Sequence, residues 1–448
     1  MSNKSHIVAR FPPSPTGPFH IGNARTALFN YFFVKKNGGK LLFRLEDTDR
    51  ERSKQEYADD IVSGLQWLGI DIDFSHPYRQ SAHSATYKKY LEQLIADGKA
   101  YVSKEEVKEA GQRAKVIRLK NPGKKVTFTD MIRGDITVDT AELGDFVIAK
   151  SVDEPIYHFA VVVDDFEMGV THVIRGEDGI YNTPRQILIQ EAIGAPRPVY
   201  AHMPFILNAD RSKLSKRQAG ELVSVKYYRE KGYLPEAVVN YLAFLGWNPG
   251  TTREVMSVEE IISRFDITKV QKAGAIFNPE KLLWYNKEYM NRLSPMEIDK
   301  EIKKRFPKNC QNDLMIEKLS EIIVERISVW SDIDKMVADG DIQYFFEQPK
   351  FSQEMLVWKK GGTAAEAREN LVLVSEKLAA LADADFDAER LKSALMPLAE
   401  EKGRGNVLWP LRVALSGREK SPDPFVLLAI FGKKESLARI AAALALLK

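Results

Sequence analysis

The chain has 448 residues, a length that at roughly 150 residues per domain predicts about three domains and excludes a lone nucleotide-binding module. Hydrophobic residues at 44% and charged residues at 28% are ordinary globular usage, which excludes disorder, collagen-like repeats and coiled coil. With 65 Lys and Arg against 62 Asp and Glu, the formal charge is only +3, so any affinity for nucleic acid has to come from local patches. Met1 to Phe11 holds no signal-peptide core, and no stretch of about 18 apolar residues free of charge occurs, so the chain is expected in the cytoplasm. His6 to Phe11 predicts a short buried strand. The run Pro12-Pro13-Ser14-Pro15-Thr16-Gly17-Pro18 after it suits neither a helix nor a central strand and predicts a loop. Ala24, Ala27, Leu28, Tyr31 and Phe32 fall at helical spacing and predict a helix that stops at Asn37-Gly38-Gly39. Leu41 to Leu45 predicts the next strand. The result is a βαβ unit whose right-handed crossover puts the first loop at the carboxyl edge of a parallel sheet, where ligands bind.

Phe159 to Val163 and His172 to Arg175 are expected to be strands, followed by a helix from Asn182 to Ile193 and a strand from Val199 to His202. The sheet is therefore expected to be split by an insertion at about Arg79 to Tyr157. Within the insertion, Lys104 to Lys125 carries eight Lys or Arg against three Glu, and two readings stand side by side, a solvated surface loop and a patch that contacts phosphates. Asn208-Ala209-Asp210-Arg211 predicts a mobile loop ahead of Lys213-Leu214-Ser215-Lys216-Arg217. Tyr233-Leu234-Pro235-Glu236 opens a helix carrying Val238, Val239, Leu242 and Leu245. From about Pro307 the chain is rich in Leu and Ala with charged faces and predicts an all-helical scaffold. Cys310, the single cysteine, excludes an internal disulfide framework and any zinc site needing two thiolates; it fits a reducing compartment and reads as a packing residue.

Two segments carry chemistry. In Pro13 to Asn23 the prolines stiffen a loop entering a helix, Gly22 lets a planar ring approach the backbone, and the free amides of the new helix point at what binds there, which suits a nucleotide. Taken alone, His20 reads as a structural residue bonded to the loop; its spacing to Gly22 adds the second reading. Lys213-Leu214-Ser215-Lys216-Arg217 puts three cations in five residues, matching the charge that develops on a departing pyrophosphate. Alone it reads as a solvated basic loop. Together, a rigid loop and a cationic loop at two edges of one sheet can grip both ends of ATP.

These two segments resemble the motifs of class I aminoacyl-tRNA synthetases, and the whole chain resembles the bacterial-type glutamyl-tRNA synthetases. The narrower likeness rests also on Arg44-Leu45-Glu46-Asp47-Thr48-Asp49-Arg50, Val162-Val163-Asp164-Asp165, Val173-Ile174-Arg175-Gly176-Glu177-Asp178, Asn182-Thr183-Pro184-Arg185-Gln186 and Trp409-Pro410-Leu411-Arg412-Val413-Ala414-Leu415-Ser416-Gly417. The resemblance implies attachment of L-glutamate to tRNA(Glu) through a glutamyl-adenylate, with ATP and Mg²⁺. It implies a Rossmann-like parallel-sheet catalytic domain at 1–78 and 158–217, an inserted α+β domain for the tRNA acceptor end at 79–157, a helical stem-contact domain at 218–306 and a helical anticodon-binding domain at 307–448. Lys216, Lys213 and His20 are the implied catalytic residues. Ser14, Thr16, Gly17, His20, Gly22, Asn23, Lys213, Ser215 and Lys216 are the implied ATP site.

By the same resemblance, Arg10, Ser14 and Arg175 face carboxylates of glutamate, Glu46 its ammonium, and Tyr157 the side of the pocket. Each has a plainer reading: Arg10 as a strand-edge surface charge, Glu46 as an ion-pair partner of Arg44 or Arg50. Arg113, Lys115, Arg118 and Lys120 are the cations assigned to tRNA. Many family members carry a cysteine-rich zinc site in the insertion, but Tyr101-Val102-Ser103-Lys104 has no cysteine, so no structural zinc is expected. Gly179 stands where the family places His or a large side chain, so the pocket is expected to differ there. A shortened paralogue that modifies tRNA(Asp) lacks the helical half, and glutaminyl-tRNA synthetase carries a β-rich anticodon region with no counterpart after Pro307. A regulatory relative without catalysis would have lost His20, Lys213 and Lys216, and a small nucleotidylyltransferase lacks a helical half. The resemblance also suggests a monomer.

Overall fold

The computed structural model describes residues 6–75, 77–106, 114–215 and 219–447, which belong to two compact units, Met1–Tyr289 and Met290–Lys448. In the first, the opening apolar run pairs as β1 (Val8–Phe11), and Gly38, at φ 65°, ends α1 (Ile21–Asn37) so that the chain turns directly into β2 (Lys40–Leu45). A left-handed residue there costs glycine nothing. α2 (Gln55–Trp67) leads to the short β3 (Tyr78–Arg79) beside β2. After α3 (Ser84–Ala96), β4 (Ala100–Lys104), β5 (Lys115–Leu119), β8 (Phe146–Ser151) and β9 (Glu154–Pro155) form a separate antiparallel sheet, while β6 (Lys125–Asp130) and β7 (Gly134–Asp139) form a hairpin. α4 (Tyr157–Glu167), β10 (His172–Gly176), α5 (Thr183–Ile193), β11 (Val199–Met203) and β12 (Ile206–Leu207) follow.

The large sheet has the order β3-β2-β1-β10-β11-β6-β7, parallel throughout except for β7. The order reverses between β1 and β10, which opens a crevice at their carboxyl ends, the usual ligand position in such sheets. Side chains alternate across the sheet as strand geometry requires. Val173 and Tyr200 pack into one core with Phe159, Val162 and Ile187, and Ile174 and Ala201 pack into another with Ala24, Leu28, Phe32 and Val238. Helices thus cover both faces.

Three expectations are corrected. Phe159 to Val163 is not a strand but the middle of α4: a short run of Val buried on nearly all sides does not distinguish strand from buried helix by periodicity, and the packing decides. The insertion does not stand apart from the main sheet, because its β6–β7 hairpin joins that sheet next to β11, with Asp130 opposite Tyr200. Asn208 to Arg211 is not a loose loop but a tight reversal. Asn208 N–H donates to Ser212 O (2.8 Å), Arg211 N–H to Asn208 O (2.9 Å) and Leu214 N–H to Ile206 O (2.9 Å), with Arg211 at φ 66°.

The second unit carries helices and, among the described residues, no strand. Ser294 with Glu297 and Thr363 with Glu366 form reciprocal caps that start two of its helices. The segment Trp409 to Gly417 is structural. Trp409 Nε1 donates to Met355 O (2.9 Å), Arg412 Nη1 to Ser421 O (2.6 Å), and Leu415 O accepts from the buried Arg439 (2.6 Å). Cys310 is buried and free. No helix of the described residues is long and apolar enough to cross a membrane.

Candidate active site

The proline-rich loop is rigid because the rest of the unit hydrogen-bonds it. Pro13 O accepts from Glu46 N–H (3.0 Å), Pro15 O from Lys54 N–H (3.0 Å), and Phe19 N–H donates to Asp60 Oδ2 (2.8 Å). His20 is then the cap of α1, its Nδ1 accepting from Asn23 N–H at 3.2 Å. An accepting Nδ1 requires the neutral ring, and both the protein packed around it and the nearby Lys213 ammonium lower its pKa. A methyl group on Gly22 would lie 2.9 Å from that Nδ1, so glycine at this position lets the ring lie back on the helix start. The plain reading of His20 as a loop-bonding residue and the nucleotide reading are compatible, since the same ring lines the cleft.

That cleft, about 950 Å³, lies at the carboxyl ends of β1 and β10. It is lined by Arg10, Gly17, His20, Gly22, Asn23, Glu46, Tyr157, Arg175, Lys213 and Ser215, all of them named by the sequence. Ser14 and Thr16 are not among its lining residues; they close a turn of the loop, Thr16 N–H donating to Ser14 O (2.9 Å). Lys216 and Arg113 lie outside the described residues. Lys213 is exposed, its ammonium 4.0 Å from the centre of the Phe205 ring and 3.7 Å from Asp178 Oδ2. At such exposure this ion pair is weak and easily exchanged for another anion.

Arg10 is not a surface charge. It is 2% exposed, with Nε bonded to both oxygens of Asp165 (3.2 and 3.3 Å), while its Nη1 is buried without a hydrogen-bond partner among the described residues. Arg44, fully buried, ties the floor together: Nη1 to Asp165 Oδ1 at 2.7 Å and Nη2 to Glu46 Oε1 at 3.0 Å. Burial opposes the charge of Arg44, but Asp165, Glu46 and Asp164 around it raise its pKa above the ordinary value. Burial likewise opposes the charge of Asp165, and Arg10 and Arg44 hold its pKa below the usual carboxylate range. Burial pushes Glu46 up, against Arg44 and Arg10. Asp164 is fully buried and accepts from Tyr78 and Tyr87 hydroxyls (2.8 Å each) and from Gln80 Nε2 (2.7 Å).

Arg175 enters from the other strand. Its Nε donates to His202 Nε2 (3.0 Å), and its Nη2 to Gly179 O (3.0 Å) and Thr183 Oγ1 (2.8 Å), so its hydrogen-bond partners among the described residues are all uncharged. The protein around it lowers its pKa, and Arg10 adds to the effect, which means that two guanidinium groups repel across one space. Gly179 is what lets Arg175 lie there, because a Cβ would fall 2.3 Å from Nε. At Gly179, then, the space beside the backbone is taken by the Arg175 side chain.

Arg44, Asp164, Asp165, His202, Asp130 and Arg25 were not assigned roles from the sequence. Asp164 and Asp165 carried a signal, two adjacent acids in an apolar run, which only burial with a counter-charge explains. Arg25 joins α1 to Leu245 O (3.0 Å) and to Pro204 O from beneath the cleft, and burial lowers its pKa to about 10. In the inserted sheet, Arg118 is occupied by Glu105 (Nε–Oε1 2.9 Å) and Asp145 O (2.7 Å), whereas Lys115 and Lys120 are exposed. Among the described residues no group of three or more His, Cys, Asp or Glu could hold a metal ion.

Comparison with known proteins agrees with this geometry. The family profile described as "tRNA synthetases class I (E and Q), catalytic domain" matches residues 6–113 and 102–284, and the profile "Anticodon binding domain" matches 287–444. The chain is similar to the glutamate–tRNA ligase of Thermodesulfovibrio yellowstonii, 39% identical over 97% of this chain and 98% of that protein. It is also 39% identical to that of Carboxydothermus hydrogenoformans, over 97% and 99%. Among solved structures, a glutamate tRNA ligase from Elizabethkingia meningosepticum in complex with its amino acid superposes with a TM-score of 0.85 at 33% identity, over 99% of this chain and all of that one. With the catalytic profile spanning more than half of the residues and full-length relatives well above 30% identity, the chain belongs to the glutamate–tRNA ligases, within the class I aminoacyl-tRNA synthetases.

Proposed function

We propose that this chain joins L-glutamate to the 3'-terminal adenosine of tRNA(Glu) in two steps, with Arg10, Arg175, Glu46 and Tyr157 holding the amino acid and the His20–Asn23 helix start together with Lys213, Ser215 and Lys216 holding ATP. The observation that carries the reading is a pair of guanidinium groups in one cleft, Arg10 with a buried Nη1 lacking a partner and Arg175 with uncharged partners. A substrate with two carboxylates satisfies both, and charge-assisted bonds to a planar fork are the strong ones. Glu46, kept in place by Arg44, is the acid for the ammonium group.

In the first step, the α-carboxylate of glutamate, already ionised at neutral pH, attacks the α-phosphorus of ATP. The bond to the β-phosphate bridging oxygen breaks, pyrophosphate leaves, and no general base is needed. Lys213 and Lys216 neutralise the leaving group. Mg²⁺ travels on the triphosphate and supplies further charge neutralisation there, in keeping with its preference for phosphate oxygens and water over an all-protein cage. In the second step a hydroxyl of the terminal ribose attacks the acyl carbon, and AMP leaves. The exposed Lys115 and Lys120 contact the tRNA backbone, with Arg113 and Arg118 assigned to the same role. The protein works as a cytoplasmic monomer without structural zinc.

The test is charging of a tRNA(Glu) transcript with labelled glutamate, together with glutamate-dependent exchange of pyrophosphate into ATP with and without that tRNA. Charging of tRNA(Glu), and exchange that requires it, are expected. A pure, folded protein that charges none refutes the reading.

A further inference from the structure

A chain of buried polar side chains runs from the inserted hairpin to the pocket wall. His202, on β11, is fully buried and sits in register beside Arg175 on β10. Its Nε2 receives the Nε–H of Arg175 at 3.0 Å, and its Nδ1 lies 2.7 Å from Asp130 Oδ2. Asp130 is the last residue of β6. Its other oxygen, Oδ1, accepts from the N–H groups of Ile132 and Arg133 (3.0 Å each), so the carboxylate is locked in the turn. Arg133 in the same turn donates to His202 O (3.2 Å) and pairs with Glu177, one element past Arg175.

Proton bookkeeping leaves one arrangement. A guanidinium Nε always carries its hydrogen, so His202 Nε2 must be the acceptor. The ring is then neutral with its hydrogen on Nδ1, directed at Asp130, which has only acceptors to offer. We propose that Asp130 and His202 are positioning residues for glutamate: by fixing the ring tautomer they fix the fork of Arg175, so the inserted segment, and not only the nucleotide fold, builds the amino-acid pocket. This rests on the reading of Arg175 as a carboxylate-binding group.

Asp130→Asn is a near-isosteric test. Because the oxygen is already engaged by two backbone N–H groups, the amide NH₂ must face His202 Nδ1, which forces the hydrogen onto Nε2 and sets donor against donor at Arg175. An analogous change in a catalytic triad keeps the geometry and spoils the tautomer. In tRNA(Glu) charging, KM for glutamate should rise about 10- to 100-fold, with KM for ATP within about twofold and a cooperative thermal transition retained. His202→Gln, whose amide oxygen can stand near Nε2, should leave a lower glutamate KM than His202→Asn, which reaches only the Nδ1 position. Glutamate KM unchanged in folded Asp130→Asn overturns the proposal, as do equal values for the two His202 variants if Asp130→Asn does not fold. Arg175→Gln separates the two levels. If it leaves glutamate KM untouched, the reading of the pocket fails; if it raises that KM while Asp130→Asn does not, only the positioning role fails.

Discussion

Gly179→Ala isolates the placement of Arg175 from every other property of the pocket. Glycine here is not needed for the backbone, since its φ lies outside the left-handed region. The whole effect of an added methyl group is therefore steric, and it falls on one side chain. The Cβ would lie 2.3 Å from Nε, 2.7 Å from Cδ and 2.9 Å from Cζ of Arg175, so the guanidinium must leave its bonds to His202, Thr183 and Gly179 O. A hydrogen bond involving a charged group contributes about 1.5–3 kcal/mol. If the misplaced fork forfeits one such bond to the substrate, KM for glutamate rises about 10- to 150-fold, at 1.4 kcal/mol per tenfold. Overpacking costs the fold about 1–3 kcal/mol, absorbed in part by the move of Arg175 toward the open cleft. The assay is initial-rate charging of tRNA(Glu) with glutamate varied at saturating ATP, repeated with ATP varied, and a thermal melt of the same preparation. A folded variant with the parent's glutamate KM refutes the placement of Arg175 as the carboxylate clamp.

Lys216→Ala should slow charging by about 10²- to 10³-fold, the usual cost of losing one group that stabilises developing charge, with the thermal midpoint unchanged; near-parent turnover contradicts its role at the phosphates. Lys115→Glu combined with Lys120→Glu should raise KM for tRNA, flatten its salt dependence and leave KM for ATP alone, because both side chains are exposed and neither builds the pocket; an unchanged tRNA KM removes this surface from the interface. His20, His158, His172 and His202 all have pKa values lowered, in each case first by burial, from the ordinary 6.5. The unfolded chain then binds more protons than the folded one below that pH, so stability rises with pH in this window and is lost as pH falls from 6.5 toward the folded values. The thermal midpoint should drop between about pH 7 and about pH 5, and a flat profile there contradicts these assignments.

The parts of the fold readable from sequence were those whose signal is local. The spacing of Ala24, Ala27, Leu28, Tyr31 and Phe32 marks a helix that buries one face, and Gly38 marks its end; both hold in α1. His20 and Lys213, each of which alone has a plainer reading, were placed at one cleft only by taking the two segments together and by the family resemblance, and both line it. What escaped was fixed by partners distant in the chain. Val161 to Val163 favours a strand by propensity, yet α4 needs its helical pitch to bring Asp164 and Asp165 to the pocket floor, against Arg44 and Arg10. Nothing within ten residues of Asp165 names those partners. Arg118 was read only from the positive local charge, and its partners Glu105 and Asp145 O, 13 and 27 residues away, were not legible from that run. His202 and Asp130 were silent for the same reason: 72 residues separate two atoms 2.7 Å apart.

On the proposed reading, the selectivity of the pocket lies in which of its guanidinium groups are paired with carboxylates. Arg44 is surrounded by Asp165 and Glu46, and Asp165 is shared with Arg10. Arg175 has no carboxylate on it at all, only an imidazole nitrogen, a hydroxyl and a carbonyl. Arg175 is thus a guanidinium with no carboxylate bonded to it among the described residues, at a cost set by desolvation and by repulsion from Arg10. A second carboxylate on the substrate removes that cost by supplying only acceptors to Arg175 and to the unpartnered Nη1 of Arg10. An amide of the same shape offers one acceptor and an NH₂ group, so a donor is turned toward a donor and the charge stays uncompensated. Sites built to pair a polar group reject analogues lacking it far more strongly than apolar pockets reject a methylene, because the protein's own group is left unpaired. In the same reading, the substrate ammonium gives Glu46, pushed up by burial and held by Arg44, a second cation. On the proposed placement of the substrate, glutamate is preferred over glutamine by charges already fixed in the free protein.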